Sequence, residues 1–370
     1  MPIFVTRPNL PDIKEVLPYL EEIWRSRTLT NNGPFHREFE EQLRSYLGIS
    51  FISLMTNGTL ALIVALQALR ITGEVITTPF SFVATAHALR WNGIVPVFCD
   101  IEEKTFTIDP ERLEALITPR TTAILPVHVY GYPCHTEAIQ DIADKYGLRV
   151  IYDAAHAFGV TKNGKTVLTE GDASILSFHG TKLFTTFEGG AIVCKDEKLK
   201  KRVEFLRNFG FADEVTVVAP GINAKMNEFQ SVIGILSLKI VNEEITRRRQ
   251  VAQWYRTFLQ DTPGIVLPPE VQGVEHNYSY FPILIKEREF GISREEVYST
   301  LKQYNIFTRR YFYPLISNFP PYRDLPSARK ENLPVANRIA EQVLCLPMYG
   351  TLQREEVEKI CEILLSLKNP

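Results

Sequence analysis

Ser174-Ile-Leu-Ser-Phe-His-Gly-Thr-Lys182-Leu-Phe-Thr-Thr-Phe-Glu-Gly-Gly190 reads as a short apolar strand, a lysine-bearing loop and a Gly-Gly turn. Upstream, Asp153 ends the apolar run Leu148-Arg-Val-Ile-Tyr152. An acid at one strand end and a lysine just past a later strand suit pyridoxal 5′-phosphate (PLP). A lysine amine can condense with the cofactor aldehyde. A carboxylate can keep the pyridine nitrogen protonated, so that the ring accepts electrons.

Working outward, strand and helix signals alternate. Strands are predicted at 51–55, 75–78, 95–101, 122–129, 149–153, 173–178 and 191–194. Helices are predicted at 59–70, 82–91, 110–117 (opened by Asp109), 136–146 and 197–208. This succession implies an α/β fold with a mostly parallel central sheet covered by helices; continuous apolar strands fit burial on both faces. Two helical patterns precede it, one carrying Ile13, Val16, Leu17, Leu20, Ile23 and Trp24, the other Phe35, Phe39, Leu43, Tyr46 and Leu47. A long helix from about 227 to 259 leads into a smaller α+β C-terminal part, with a strand at 278–285 and helices at 293–304 and from 353. The organisation expected is residues 1–240 as a large domain with an N-terminal helical arm and 241–370 as a small domain.

Composition narrows the classes. Of 370 residues, 45% are hydrophobic and 23% charged, and the net charge is −2. No strong field is present to attract nucleic acid or an anionic membrane. No apolar run reaches the length of a membrane span, and Met1-Pro-Ile-Phe-Val-Thr-Arg-Pro8 lacks a signal pattern, so a cytoplasmic location is expected. Cys99, Cys134, Cys194, Cys345 and Cys361 are scattered and read as reduced, packed thiols; no metal-ligand spacing is present, so no metal is expected.

Several residues join Lys182 and Asp153 as candidates. Thr56-Asn-Gly58-Thr59 lies between a strand and a helix, where free amides and the helix dipole favour an anion such as a phosphate; a plain helix cap is the alternative. Phe82 starts the next helix and could stack on a pyridine, or belong to the core. Asp153 sits where ligands of open α/β sheets bind, and a pyridinium N–H would give the buried acid a partner. His156 could hydrogen-bond the cofactor's phenolic oxygen, or be a satisfied core histidine. Ser177 and Asn223 are fit to bind phosphate. Arg247-Arg-Arg249 reads as a solvated helix face. Tyr311 and Tyr313 could approach a substrate or pack in the core.

The chain resembles the DegT/DnrJ/StrS nucleotide-sugar aminotransferases over nearly its whole length. The resemblance rests on Leu29-Thr-Asn-Asn-Gly-Pro34, Asn57-Gly-Thr59, Thr78-Pro-Phe-Ser-Phe-Val-Ala-Thr85, Pro126-Val-His-Val-Tyr-Gly131, Asp153-Ala-Ala-His-Ala-Phe-Gly159, Gly171-Asp-Ala-Ser-Ile-Leu-Ser-Phe-His-Gly-Thr-Lys182, Glu188-Gly-Gly190, Arg207-Asn-Phe-Gly210 and Gly221-Ile-Asn-Ala-Lys-Met-Asn-Glu228. It implies a fold-type I aminotransferase, a homodimer with its site at the subunit interface. It implies the covalent cofactor link at Lys182 and the pyridinium partner at Asp153. His156 stands near the ring oxygen and Phe82 matches the stacking aromatic. Gly58, Thr59 and Ser177 match phosphate binders, and Asn223 matches a residue reaching the neighbouring subunit's phosphate. Gly180 stands where alanine is usual. The implied reaction is transfer of an amino group from L-glutamate to a dTDP-4-keto-6-deoxyhexose, with the 3-keto isomer as the alternative. Because Lys182 is retained, the family's dehydratase branch is disfavoured.

Overall fold

The computed structural model describes residues 2–368. Helices α1 (Ile13–Ser26) and α2 (Pro34–Leu47) come first. Asp12 caps α1 by accepting from the Lys14 amide, and Pro34 opens α2, whose end at Gly48 takes the left-handed conformation glycine tolerates. The alternating region follows as β1 (Ile52–Met55), α3 (Gly58–Ala68), β2 (Glu74–Thr77), α4 (Ala84–Trp91), β3 (Val95–Phe98), β4 (Thr121–Leu125), α5 (Thr136–Tyr146), β5 (Arg149–Asp153), β6 (Ala173–Ser177), β7 (Gly190–Cys194) and α6 (Glu197–Leu206).

The seven strands form one sheet in the order β1-β7-β6-β5-β4-β2-β3. Strand β7 is antiparallel to both β1 and β6, and every other pairing is parallel. Strands β1, β5 and β6 therefore point the same way and end at one edge. Strands β1, β2 and β7 are buried along their whole length, as continuous apolar strands require. One face packs Ala61, Leu62, Ala65 and Leu66 of α3, Leu89 of α4 and Val203 of α6 against Val75, Ile151 and Ile192. The other covers Leu54, Leu176 and Ala191 with Phe39 and Leu43 of α2, Phe178 and Phe184.

A 32-residue helix, α7 (Glu228–Leu259), follows, opened by a reciprocal cap between Asn227 and Gln230. Its start packs on α1 and α2, and its end enters a second core. That core combines the antiparallel strands β8 (Ile265–Val266), β9 (Phe281–Ile285) and β10 (Val343–Leu346) with helices α8 (Arg294–Gln303) and α10 (Arg354–Ser366); α9 (Pro334–Gln342) immediately precedes β10. Ile3–Phe4 pairs in parallel with Ile306–Phe307, so the start of the chain joins the C-terminal part. All five cysteines are free and buried. Among the described residues no helix is long and apolar enough to cross a membrane.

Three sequence expectations need correction. The helix expected at 110–117 is a pair of 3₁₀ turns, Pro110–Arg112 and Glu114–Leu116. Leu113 alone of that stretch is buried, too narrow an apolar face to hold an α-helix. The strand expected from Tyr278 begins at Phe281, because Asn277 and Ser279 bond across to the loop after β5. Arg247-Arg-Arg249 is not a wholly solvated face. Arg248 and Glu244 are each 1% exposed, and their side chains pair at 2.6 Å.

Candidate active site

The edge shared by the ends of β1, β5 and β6 opens into a cavity of about 710 Å³. Asp153, the last residue of β5, reaches it and is 5% exposed. The Thr85 hydroxyl, from the first turn of α4, donates to Asp153 Oδ2 at 2.8 Å, and the Ala155 amide donates to Oδ1 at 3.2 Å. Ser81 Oγ lies 2.9 Å from the Thr85 hydroxyl. Burial pushes the Asp153 carboxyl above the usual carboxylate range; the two hydrogen bonds and the nearby Lys182 charge work against that rise.

Lys182 lies in the loop between β6 and β7. The loop is closed by Phe178 N–H donating to Gly189 O at 2.8 Å and by Lys182 N–H donating to His179 O at 2.8 Å. Lys182 is half-buried, and its side chain lines the cavity. Burial there lowers the amine from 10.5 to about 8, against the opposing pull of Asp153. Nζ approaches the Tyr280 hydroxyl at 3.5 Å.

His156 is buried and accepts the Tyr130 amide on Nδ1 at 3.1 Å. With Nδ1 as acceptor, the hydrogen-bond network puts the ring proton on Nε2. Burial, and secondarily the Lys182 charge, hold this histidine well below its ordinary range, so the ring is neutral. It lies parallel to Phe312 at 6.0 Å and meets Tyr280 edge-on at 4.9 Å.

The start of α3 forms the opposite wall. Asn57 uses its side chain on the Leu60 amide and its carbonyl on the Ala61 amide, leaving Gly58 N–H and Thr59 N–H without partners among the described residues. Ser177, at the end of β6, faces them so closely that a Cβ on Gly58 would stand 2.9 Å from Ser177 Cβ. A Cβ on Gly190 would stand 2.7 Å from the Asn57 carbonyl carbon, so only glycine lets β7 pass beneath this helix start. Phe82 lines the cavity and is 58% exposed.

Of the sequence candidates, Gly58, Thr59, Phe82, Asp153, His156, Ser177 and Lys182 all line this one cavity. Asn223 does not; it is exposed and bridges to Asn208 in the loop before α7. Tyr311 lines the cavity, whereas Tyr313 packs beneath Arg294. Gly180 has room for a methyl group, with only Phe187 O at 3.6 Å, so its difference from alanine leaves the loop intact. Sequence reasoning missed the contacts of Thr85 and Tyr280. Thr85 follows Phe82 by one helical turn and could have been placed on the same face. Tyr280 is distant in sequence and carries no local signal.

Sheet order, helix layers and a lysine-bearing cavity at the strand ends are those of the α/β aminotransferases that use PLP. The chain belongs to the DegT/DnrJ/EryC1/StrS aminotransferase family, whose model matches residues 11–365. It is 55% identical to an Escherichia coli dTDP-4-amino-4,6-dideoxy-D-glucose transaminase, over 98% of this chain and 97% of the relative. It is 50% identical to the Shigella dysenteriae protein of the same name, over 99% of each. Among solved structures, DesI, determined in the presence of its TDP-sugar product, superposes with a TM-score of 0.94 at 38% identity. The match covers 99% of this chain and 92% of DesI. The protein is thus an aminotransferase with PLP as its cofactor, acting on a sugar nucleotide.

Proposed function

We propose that this enzyme moves the amino group of L-glutamate onto C4 of a dTDP-4-keto-6-deoxyhexose, giving dTDP-4-amino-4,6-dideoxy-D-glucose and 2-oxoglutarate. Such an amino sugar serves O-antigen or other polysaccharide biosynthesis. One observation carries this reading: the Lys182 amine, the Asp153 carboxylate and the two free amides at the start of α3 face a single cavity. The high identity to transaminases of that sugar supports the choice of substrate.

The residues fit PLP. A buried acid with two of its acceptor positions taken has room for one more donor, which a pyridine N–H provides. Gly58 N–H, Thr59 N–H and Ser177 Oγ suit the phosphate, which the positive end of α3 also favours. Phe82 would cover one face of the ring. His156, holding its proton on Nε2, can donate to the ring oxygen. Bound PLP supplies the electron sink that acidifies the carbon bearing the transferred nitrogen.

Lys182 is the group that takes a proton at one carbon and returns it at the next. That task needs a neutral amine near neutral pH, and enclosure brings the amine to about 8, where a useful fraction is deprotonated. Asp153, whose charged form is favoured by the hydrogen bonds from Thr85 and Ala155, would hold the pyridine proton in place. We place Asn223 in the cavity of a second copy. Phe209, Phe211 and Ile222, exposed around it, are the apolar surface a homodimer would cover. We take residues 1–240 as the cofactor-binding domain and 241–370 as the smaller one, with the boundary inside α7. The substrates are metabolites of the cytoplasm, where we place the enzyme.

The test is to incubate the enzyme with L-glutamate and the 3-keto and 4-keto isomers of the dTDP-sugar, then locate the new C–N bond by NMR. Amination at C4, lost in Lys182→Ala, is expected. Amination at C3, or turnover surviving in Lys182→Ala, would overturn the reading.

A further inference from the structure

Lys182 is enclosed by side chains from three parts of the chain. Asp153 ends β5, and His156 follows in the next loop. Tyr280 comes from the segment before β9, with Tyr311 beside it. His179 and Glu188, on the loop of Lys182 itself, pair with each other and are half-exposed. Asp153 and Glu188 are the acidic side chains that line this cavity. Tyr280 alone brings a hydroxyl within hydrogen-bonding range, at 3.5 Å, the outer limit of such a contact. That hydroxyl has no other partner among the described residues, although Tyr280 is only 7% exposed. A buried hydroxyl normally has a partner.

The segment carrying Tyr280 is fixed from two sides. Asn277 Nδ2 donates to His156 O at 2.8 Å and to Phe158 O at 2.9 Å, and Ser279 Oγ donates to His156 O at 3.0 Å. These bonds tie it to the loop that follows Asp153. From the other side, the buried Arg248 guanidinium donates to Ser279 O at 3.3 Å, and Glu244 holds that guanidinium. The ring of Tyr280 further meets His156 edge-on. Its hydroxyl is therefore held relative to Asp153 and His156 rather than left to wander.

We propose that Tyr280 is a positioning residue for Lys182: its hydroxyl holds the amine at the cavity wall, accepting from the ammonium and donating to the neutral amine. This rests on the reading of Lys182 as the proton carrier. A hydroxyl can serve both protonation states because it carries one donor and two acceptor sites. Burial raises its own ionisation above the ordinary value, so it remains a hydroxyl throughout. The bond to the ammonium is the stronger of the two, being charge-assisted, so losing the oxygen penalises the charged amine more.

The test compares wild type, Tyr280→Phe and Lys182→Ala. In the cofactor-free protein, the pH dependence of acetic anhydride labelling at Lys182 is read by peptide mass spectrometry. Tyr280→Phe should lower the labelling midpoint by roughly half to one pH unit, with an unchanged circular dichroism spectrum. In the PLP-loaded protein, single-turnover conversion by L-glutamate should slow roughly tenfold, with a larger isotope effect from α-deuterated glutamate. A midpoint and isotope effect equal to wild type would show that Tyr280 merely packs, and would overturn the proposal. Lys182→Ala separates the two claims. If it is inactive while Tyr280→Phe behaves as wild type, only the role of Tyr280 fails. If Lys182→Ala still converts, the reading of Lys182 fails.

Discussion

Replacing Lys182 by methionine should stabilise the cofactor-free protein. The two side chains are of similar length, so packing is retained and the charge is removed. The structure lowers the amine from 10.5 to about 8. At about 1.36 kcal/mol per unit, that difference corresponds to roughly 3 kcal/mol of destabilisation, an upper figure because the cavity admits water. The sign follows from proton binding. The unfolded chain holds its lysine proton more tightly than the folded one, so the cost is fully present below about pH 8. It fades as pH rises toward the unfolded value near 10.5. The value of about 8 already includes the attraction of Asp153, so solvent in the cavity is what trims the gain, to about 2 kcal/mol at neutral pH. Urea denaturation of both cofactor-free proteins at about pH 7 and about pH 10 measures this. Lys182→Met should be the more stable near neutrality, with the difference falling below about 1 kcal/mol at the higher pH. Equal stability at neutral pH, or a difference that ignores pH, would refute the claim that this amine is held in an environment hostile to its charge.

Two further outcomes follow from neighbouring contacts. Thr85→Val removes the hydroxyl that supports the Asp153 carboxylate, a bond to a charged group worth about 1.5 kcal/mol or more, so kcat/KM should drop roughly tenfold. Because burial already raises this carboxyl, the acid limb of the pH–rate profile should move to higher pH, and Thr85→Ser should restore it. Arg248→Met leaves Glu244 as an uncompensated buried charge and should cost about 3–5 kcal/mol in urea denaturation, with Glu244→Leu in the same chain recovering most of it.

Much of the architecture was legible because it is written in local periodicity. The α5 and β5 boundaries agree with the pattern of the chain, and the sheet strands appear within a few residues of their expected limits. Discrepancies arise where a distant partner intervenes. Residues 278–280 look like strand, yet the side chains of Asn277 and Ser279 are bonded to a loop more than a hundred residues away. The arginine triplet looks solvated, yet Glu244 and the carbonyls before β9 draw Arg248 inward.

The chain alone determined its chemical type. Lys182, Asp153 and the Asn57-Gly-Thr59 turn each stand at the end of a recognisable strand, and a parallel sheet sends such ends to one edge. Tertiary structure decided what surrounds them: that Thr85 braces Asp153, that Tyr130 fixes the tautomer of His156, and that Tyr280 arrives from the C-terminal part beside the amine. Periodicity reports only which face a residue presents. The protonation state of a buried amine depends on every group that encloses it, and those groups are brought together by folding rather than by proximity along the chain.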